Sequence, residues 1–468
     1  MSLFDALSIA ATGLSTTQAA ISVVSENVAN AQNTGYVDRT AVLAEAASSG
    51  GVELAGIQRA SDQALQQQLL AQNGQASGDA ALNALFQQVE DVTGGSSGTP
   101  ALSGAMSQFT TAWQTYEASP EDASARQGVI TAATSMTQAL GSTADGIEQL
   151  ATTAKTNVGN GVSTLNQDLS QIAELNQQIV TAQANGAPDP DLEDQRDAAV
   201  ASISKLVSIS TVTRPDGSMS VFTPNGLALV DKSAASLSWD GTNITLSGSS
   251  TSLNSSFTSG SIGATLGFLR TDSAAVQSSD PGVGALQKMR DQLDAFAQSF
   301  YDTAASPAPA FEAAYDSGQT QSGELASSFF TTSDGSATAN RFNLVVNPAL
   351  LNGRAQIKQA SATPVVQALT ATNQSLNAGG LSVSGLTYAQ IANAITARAS
   401  TNAGTIATNA TNSAATGTAL SSRLASETGV NIDGELTNLI VLQNSYSAAA
   451  RVVTTVNSML TTLMSIGQ

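Results

Sequence analysis

The sequence predicts an α+β chain, mainly α: terminal helices paired as a coiled coil, a long helical-bundle domain, and an inserted antiparallel β domain. Apolar residues alternate at three- and four-residue spacing at both chain ends, and a helical period recurs through residues 109–206. From about Ser208 the period drops to two, punctuated by Pro-Asp-Gly, Pro-Asn-Gly and Asp-Gly turns. On this reading residues 1–45 with 425–468 form a terminal coiled-coil core. Residues 46–207 with 361–424 form a helical domain, and 208–360 a β-rich outer domain with a short helical segment.

A chain of 468 residues is long enough for about three such units. Charged residues make up 11%, against about 25% in ordinary globular proteins, and 17 basic against 36 acidic residues leave a net charge of −19. No nucleic-acid partner is expected, because phosphate backbones are held by surplus Lys and Arg. Cysteine and histidine are both absent, which removes disulfides, thiolate nucleophiles, Cys/His zinc sites and Ser-His-Asp triads. No cofactor, metal or catalytic residue is expected. The amino terminus has no basic segment and carries Asp5 in its first apolar turn, unlike a cleaved signal peptide. No unbroken run of about 18 apolar residues occurs, so no membrane span is expected.

The first stripe runs Phe4, Leu7, Ala11, Leu14, Gln18, Ile21, Ser25 and Val28, about 25 residues or some 36 Å of helix. The last runs Leu439, Leu442, Tyr446, Ala449, Val453, Val456, Leu460 and Leu463. Weak seam residues (Gln18, Ser25, Ala449) make each helix marginal alone. Two arrangements fit the pattern. Either the helices pack on the body of the protein, or they pair with each other and with neighbouring copies, completing their fold on assembly. In the second case the assembly interface consists of Phe4, Leu7, Ala11, Leu14, Ile21 and Val28 together with Leu439, Leu442, Tyr446, Val453, Val456, Leu460 and Leu463.

After the first helix, the Asn-rich string from Asn27 to Tyr36 breaks the period. A Gly-rich break at residues 93–99 precedes Phe109, Trp113 and Tyr116, which share one helical face and read as core. Ser119 is expected to cap the following helix, with Pro120 in its first position and Asp122 three residues after the cap. Leu165, Leu169, Ile172, Leu175 and Ile179 form a further stripe, ended by Asn185-Gly186-Ala187-Pro188. A second helix then starts from an Asp189 cap, with Asp191, Glu193 and Asp194 near its positive end. That acidic cluster lacks the glycine and closing glutamate of a calcium loop, so a helical hairpin explains it better. Arg196, between Asp194 and Asp197, is expected to make a structural ion pair or carbonyl contact.

Val212, Met219, Val221, Leu227, Leu229, Leu237, Trp239, Ile244 and Leu246 give the period-two pattern of a small antiparallel domain with a solvent-facing exterior. A helix over residues 286–300 follows, preceded by Gly260-Ser261-Ile262-Gly263 and Leu266, and a strand over 342–346 runs into Asn347-Pro348. Residues 302–340 carry no signal and are expected to be a loop or variable insertion. Residues 388–424, rich in Ala, Thr and Asn, suggest a helix that leans on its neighbours.

The Asn27 to Tyr36 string, with Ala11-Thr12-Gly13-Leu14 before it, resembles the amino-terminal signature of the bacterial flagellar axial proteins of the rod, hook and hook-associated group. Gly429-Val430-Asn431-Ile432-Asp433-Gly434-Glu435-Leu436, followed by Gln443, Tyr446 and Ala450-Arg451-Val452, resembles that group's terminal helix. Pro120-Glu121-Asp122, the stretch from Ile172 to Ile179, and Asp191-Leu192-Glu193-Asp194-Gln195-Arg196-Asp197 are similar to the hook-associated branch at the hook-filament junction. The turn Asn33-Thr34-Gly35-Tyr36 lacks that group's usual proline, Arg39 falls one position late, and Gly434 replaces an acidic residue. The resemblance implies a structural, non-enzymatic ring protein exported through the flagellar type III apparatus to the extracellular hook-filament junction. The partners it implies are the hook protein, a second hook-associated protein, copies of itself, and an export chaperone holding the carboxyl-terminal helix. Residues 435–441 are equally like a hook protein. A carboxylate-pair glycan hydrolase and a secreted coiled-coil adhesin are the alternatives from other classes, but no Asp or Glu stands in a recognisable pocket motif.

Overall fold

A computed structural model describes residues 3–33, 35–46, 51–94, 102–301, 310–325 and 327–466. The chain opens with α1 (Leu3–Asn30) and an antiparallel hairpin, β1 (Arg39–Glu45) with β2 (Val52–Arg59). Next comes α2 (Gln63–Thr93), capped by the Asp62 side chain, which accepts from Leu65 N at 3.0 Å. α3 (Leu102–Ala118) leads into α4 (Ala123–Ala184), whose 62 residues run about 93 Å at 1.5 Å per residue. The cap of α4 is Asp122, which accepts from Ser124 N at 2.7 Å, and not Ser119. Ser119 instead opens a turn closed by Asp122 N–H onto its carbonyl at 3.0 Å, which carries Pro120 outside the helix. α5 (Pro190–Leu206) starts from Asp189 with Pro190 in its first turn, as expected.

Three strands, β3 (Ser210–Thr213), β4 (Met219–Phe222) and β5 (Ala228–Val230), form one antiparallel sheet. β6 (Leu237–Trp239) and β7 (Ile244–Leu246) form a second. α6 (Gly260–Leu269), α7 (Ser273–Gln277), α8 (Ala285–Tyr301) and α9 (Phe311–Asp316) follow, then β8 (Phe330–Thr332) paired with β9 (Leu344–Val346). α10 (Pro348–Leu351), α11 (Ala362–Thr370) and the hairpin β10 (Gln374–Ala378) with β11 (Leu381–Leu386) lead to α12 (Tyr388–Thr428). α12 is fixed at its start by a reciprocal capping box between Thr387 and Gln390. α13 (Ile432–Ile466) ends the described chain.

α4 is the common wall of two hydrophobic cores. Val129, Ala133, Met136, Leu140 and Ile147 enter a core shared with α2, α3, α8, α9, α11 and α12. One end of the same helix supplies Val158, Leu165, Leu169 and Ile172 to a second core closed by α5, α6 and β4–β7. Residues 208–360, expected to form one outer domain, therefore divide: β4–β7 and part of α6 belong to the second core, while α8–α10, β8 and β9 belong to the first. α2 and α6 approach closely through Gly74, Gly78 and Gly260. Gly260 has φ 75°, and a Cβ there would meet the Leu206 carbonyl at 2.3 Å.

The segment 302–340 differs from expectation. Residues 302–309 and 326 lie outside the described residues, but Phe311, Tyr315, Phe329 and Phe330 are all fully buried. They stack against Phe109 and Trp113 of α3, with centroids 5.5–6.3 Å apart. Phe311 and Tyr315 share one face of the short α9, and Phe329 and Phe330 follow only after turns, so each run was too short to show a period. α1 is, by length and composition, the one helix among the described residues apolar enough to cross a membrane. Ala, Leu, Ile and Val raise its mean hydropathy without an unbroken apolar run, and α13, packed along it, gives that surface a partner within the chain.

Candidate functional site

The site begins with the two terminal helices. α13 packs along α1, and no other element shares as much of its length. On α13, Leu439, Leu442, Tyr446, Val453 and Leu460 are half-buried, Val456 is buried, and Leu463 stays exposed. On α1 the buried side is carried by Ala10, Thr16, Ala20, Val23, Val24 and Asn27, again at three- and four-residue spacing. The stripe read from the sequence lies along the margin of that face. Leu7, Leu14, Ile21 and Val28 are half-buried, Ala11 is exposed, and Phe4 is 70% exposed. A further row on α13, Val441, Val452 and Met459, flanks that stripe and is 47–57% exposed.

Where α1 ends, Asn27 is completely buried and saturated with hydrogen bonds. Its amide nitrogen donates to Asp38 Oδ1 and the Arg39 carbonyl, both at 2.8 Å, and to Glu435 Oε2 at 3.3 Å. Its carbonyl accepts from Tyr36 Oη at 2.8 Å and Arg39 N at 3.2 Å. One side chain thus ties the end of α1, the strand that follows and the first turn of α13. Asp38 N donates to the Thr428 carbonyl at 2.8 Å, adding the end of α12 to the same knot. Burial pushes the Tyr36 hydroxyl up to about 12, so it remains a donor at any physiological pH. Position Thr34, where the family's usual turn proline is missing, lies outside the described residues.

Arg39 and Arg59 carry the connection onward. They are cross-strand partners at the base of the β1–β2 hairpin. Arg39 Nη2 reaches Asp191 at 2.6 Å and Asp194 at 2.5 Å, and its guanidinium lies 4.5 Å from the Tyr36 ring centroid. Arg59 reaches Glu193 at 3.0 Å, Asp197 at 2.8 Å and Asp194. Burial alone would lower the Arg59 guanidinium, but Asp197, Asp194 and Glu193 outweigh it and hold it above its ordinary value. The acidic cluster at the start of α5 is therefore engaged by two guanidiniums. No group of three or more metal-ligating side chains occurs among the described residues. Arg196 makes the expected carbonyl contact, donating to Gly217 O at 2.6 Å and to Asn176 Oδ1 at 3.3 Å.

Two asparagines of α4 position the small sheets by bracketing one strand residue each. Asn176 donates to the Met219 carbonyl at 2.7 Å and accepts from Met219 N at 3.0 Å. Asn166 does the same to Leu237, at 2.8 and 2.9 Å. Sequence reading missed Asn27, Arg59, Glu435 and the bracketing role of the asparagines. An available signal was the acidic run 191–197 itself, which in a chain with few cations required named partners.

The sequence matches the model of the flagellar hook-associated protein FlgK helical domain over residues 86–330. It also matches the flagellar basal body rod FlgEFG protein C-terminal model over residues 424–466. Flagellar hook-associated protein 1 of Salmonella typhimurium is 31% identical over 236 residues, covering 48% of this chain and 42% of that relative. The chain thus spans under half the length of that relative. Flagellar hook-associated protein 1 of Bacillus subtilis is 25% identical, covering 97% of this chain and 96% of the relative. A solved structure, the flagellar hook junction protein FlgK from Burkholderia pseudomallei, aligns with TM-score 0.46 and 26% identity over 57% of this chain and 46% of that one. The helical-domain match takes in more than half of the sequence, and the chain belongs to the FlgK family of flagellar hook-associated proteins.

Proposed function

We propose that this chain is a structural, non-enzymatic junction protein of the bacterial flagellum, assembling as a ring between hook and filament through its terminal helices. The observation that carries the proposal is the α1–α13 pair, apolar on the side where the helices meet and apolar again along the exposed Val441, Val452 and Met459 beside it. A helix that satisfies one partner and still offers an apolar row is suited to heterologous contacts with successive neighbours. Phe4, Leu7, Ala11, Leu14 and Leu463, at the margin of the intrachain contact, extend that surface. In this reading residues 1–45 with 425–468 form the inner core of the ring, 46–207 with 361–424 its helical wall, and β3–β7 its outer face.

The partners are then the hook protein on one side, a second hook-associated protein on the other, and copies of the chain laterally. An export chaperone covers the carboxyl-terminal helix before assembly, and the protein is extracellular, exported through the flagellar apparatus. The hook protein itself is a second reading, favoured by the rod-type match at residues 424–466. Electron microscopy of cells lacking the gene separates the two. Bare hooks with filament subunits lost to the medium support the junction role; missing hooks support the hook protein; normal filaments contradict both.

A further inference from the structure

A partly open pocket of about 190 Å³ lies between α2, α4, α8 and α12, away from the terminal helices. Its floor is apolar, formed by Phe86, Ile147, Met289, Leu293 and Ile395. Its other end holds two cations, Lys288 and Arg398, and no Asp or Glu lines it. Lys288 is 8% exposed. Its ammonium donates to the carbonyls of Ser278 at 2.8 Å and Asp280 at 3.1 Å, which leaves its third N–H uncommitted. It forms no ion pair among the described residues, in a chain whose net charge is −19. Arg398, exposed at the rim, makes no hydrogen bond or ion pair among them either; burial holds the Lys288 ammonium below its ordinary value, the Asp280 carboxylate opposes that shift, and Arg398 adds to it. The Asp280 carboxylate offsets part of that burial cost from outside the pocket lining, and the free N–H of Lys288 and the guanidinium of Arg398 are the charged donors available to an anion inside it.

We propose that this cavity binds a small organic monocarboxylate, its carboxylate between Lys288 and Arg398 and its hydrocarbon body on the apolar floor. The volume fits that class: a dry cavity of about 150 Å³ holds benzene, whereas a helix or strand of a partner protein does not enter a space this small. The charge arrangement selects an anion over a neutral molecule of the same shape. Gly379, with φ 53° and a carbonyl that accepts from Gln292 at 2.8 Å, closes the turn over this end. The inference is independent of the flagellar role.

The test titrates the full chain with benzoate and isovalerate, and with benzamide as the neutral counterpart, by calorimetry and thermal unfolding. Saturable carboxylate binding, roughly tenfold or more tighter than benzamide, is expected. Arg398→Gln alters an exposed residue on α12 and should keep its melting temperature while weakening benzoate binding by about tenfold. Ala399→Leu, which fills the cavity, should abolish binding in a folded chain. No binding of either carboxylate, equal binding of benzamide, or benzoate binding unchanged in Arg398→Gln would overturn the proposal and leave Lys288 as a staple for the 278–280 loop alone.

Discussion

Arg39 and Arg59 oppose each other across the base of the β1–β2 hairpin and close on the same carboxylate, Asp194. A strand register therefore sets an ion-pair joint between the terminal helices and α5. Asp194→Asn should cost about 2 kcal/mol in urea unfolding, because the amide keeps one oxygen and no charge where two largely buried guanidiniums shared a carboxylate. Asp191→Asn alters a side chain that is 68% exposed and should cost under about 1 kcal/mol. Equal effects of the two substitutions would contradict a joint centred on Asp194.

Asn27→Ala leaves Tyr36 Oη, Arg39 N and Glu435 without their common partner. The expected loss is about 2 to 3 kcal/mol, with faster proteolysis at both chain ends than in the body. Limited digestion followed by mass mapping of the fragments reads this directly.

Glu312 is fully buried, and burial pushes its carboxyl up from an ordinary 4.5 to about 8, against the pull of the Phe330 and Phe329 N–H groups. The folded chain then keeps a proton that the unfolded chain has released, so stability falls as pH rises through the window between those values. The urea midpoint should drop between about pH 5 and about pH 9, and Glu312→Gln should remove much of that slope. A slope unchanged in the variant would show that other groups carry it.

Phe311→Ala should cost about 3 to 5 kcal/mol, the usual range for a large buried aromatic. A value near zero would return the segment around it to the loop expected from sequence.

Because charged residues make up only 11% of the sequence, assembly between copies should rest on apolar seams and be only mildly salt-sensitive. Sedimentation of assembled material across a salt series checks this, and a steep loss between low and moderate salt would contradict it.

Both terminal helices, α4 and α5, and β3 to β7 were legible because apolar period and turn residues agree with the fold over many positions. The face buried by α1 was not: Ala10, Thr16 and Ala20 are small or polar, and the larger residues nearby sit at the margin. α2 and the β1–β2 hairpin were overlooked, although Leu65, Leu70, Leu85, Phe86 and Val89 carry a helical spacing. The knot at Asn27 and the Arg39–Arg59 joint unite residues more than a hundred positions apart. The acidic run at 191–197 shows that partners are needed, but no local pattern names residues so distant in sequence.

The most direct test of the assembly role uses cells lacking the gene, complemented with a chain carrying Val452→Asp and Met459→Asp. Both positions are about half exposed on α13, 47% and 53%, so the purified variant should unfold with nearly the same midpoint as the unaltered chain. The account predicts that it nonetheless fails to restore filaments, as does a chain truncated after Asn438. Full motility with the double variant would contradict an assembly surface on that face of α13.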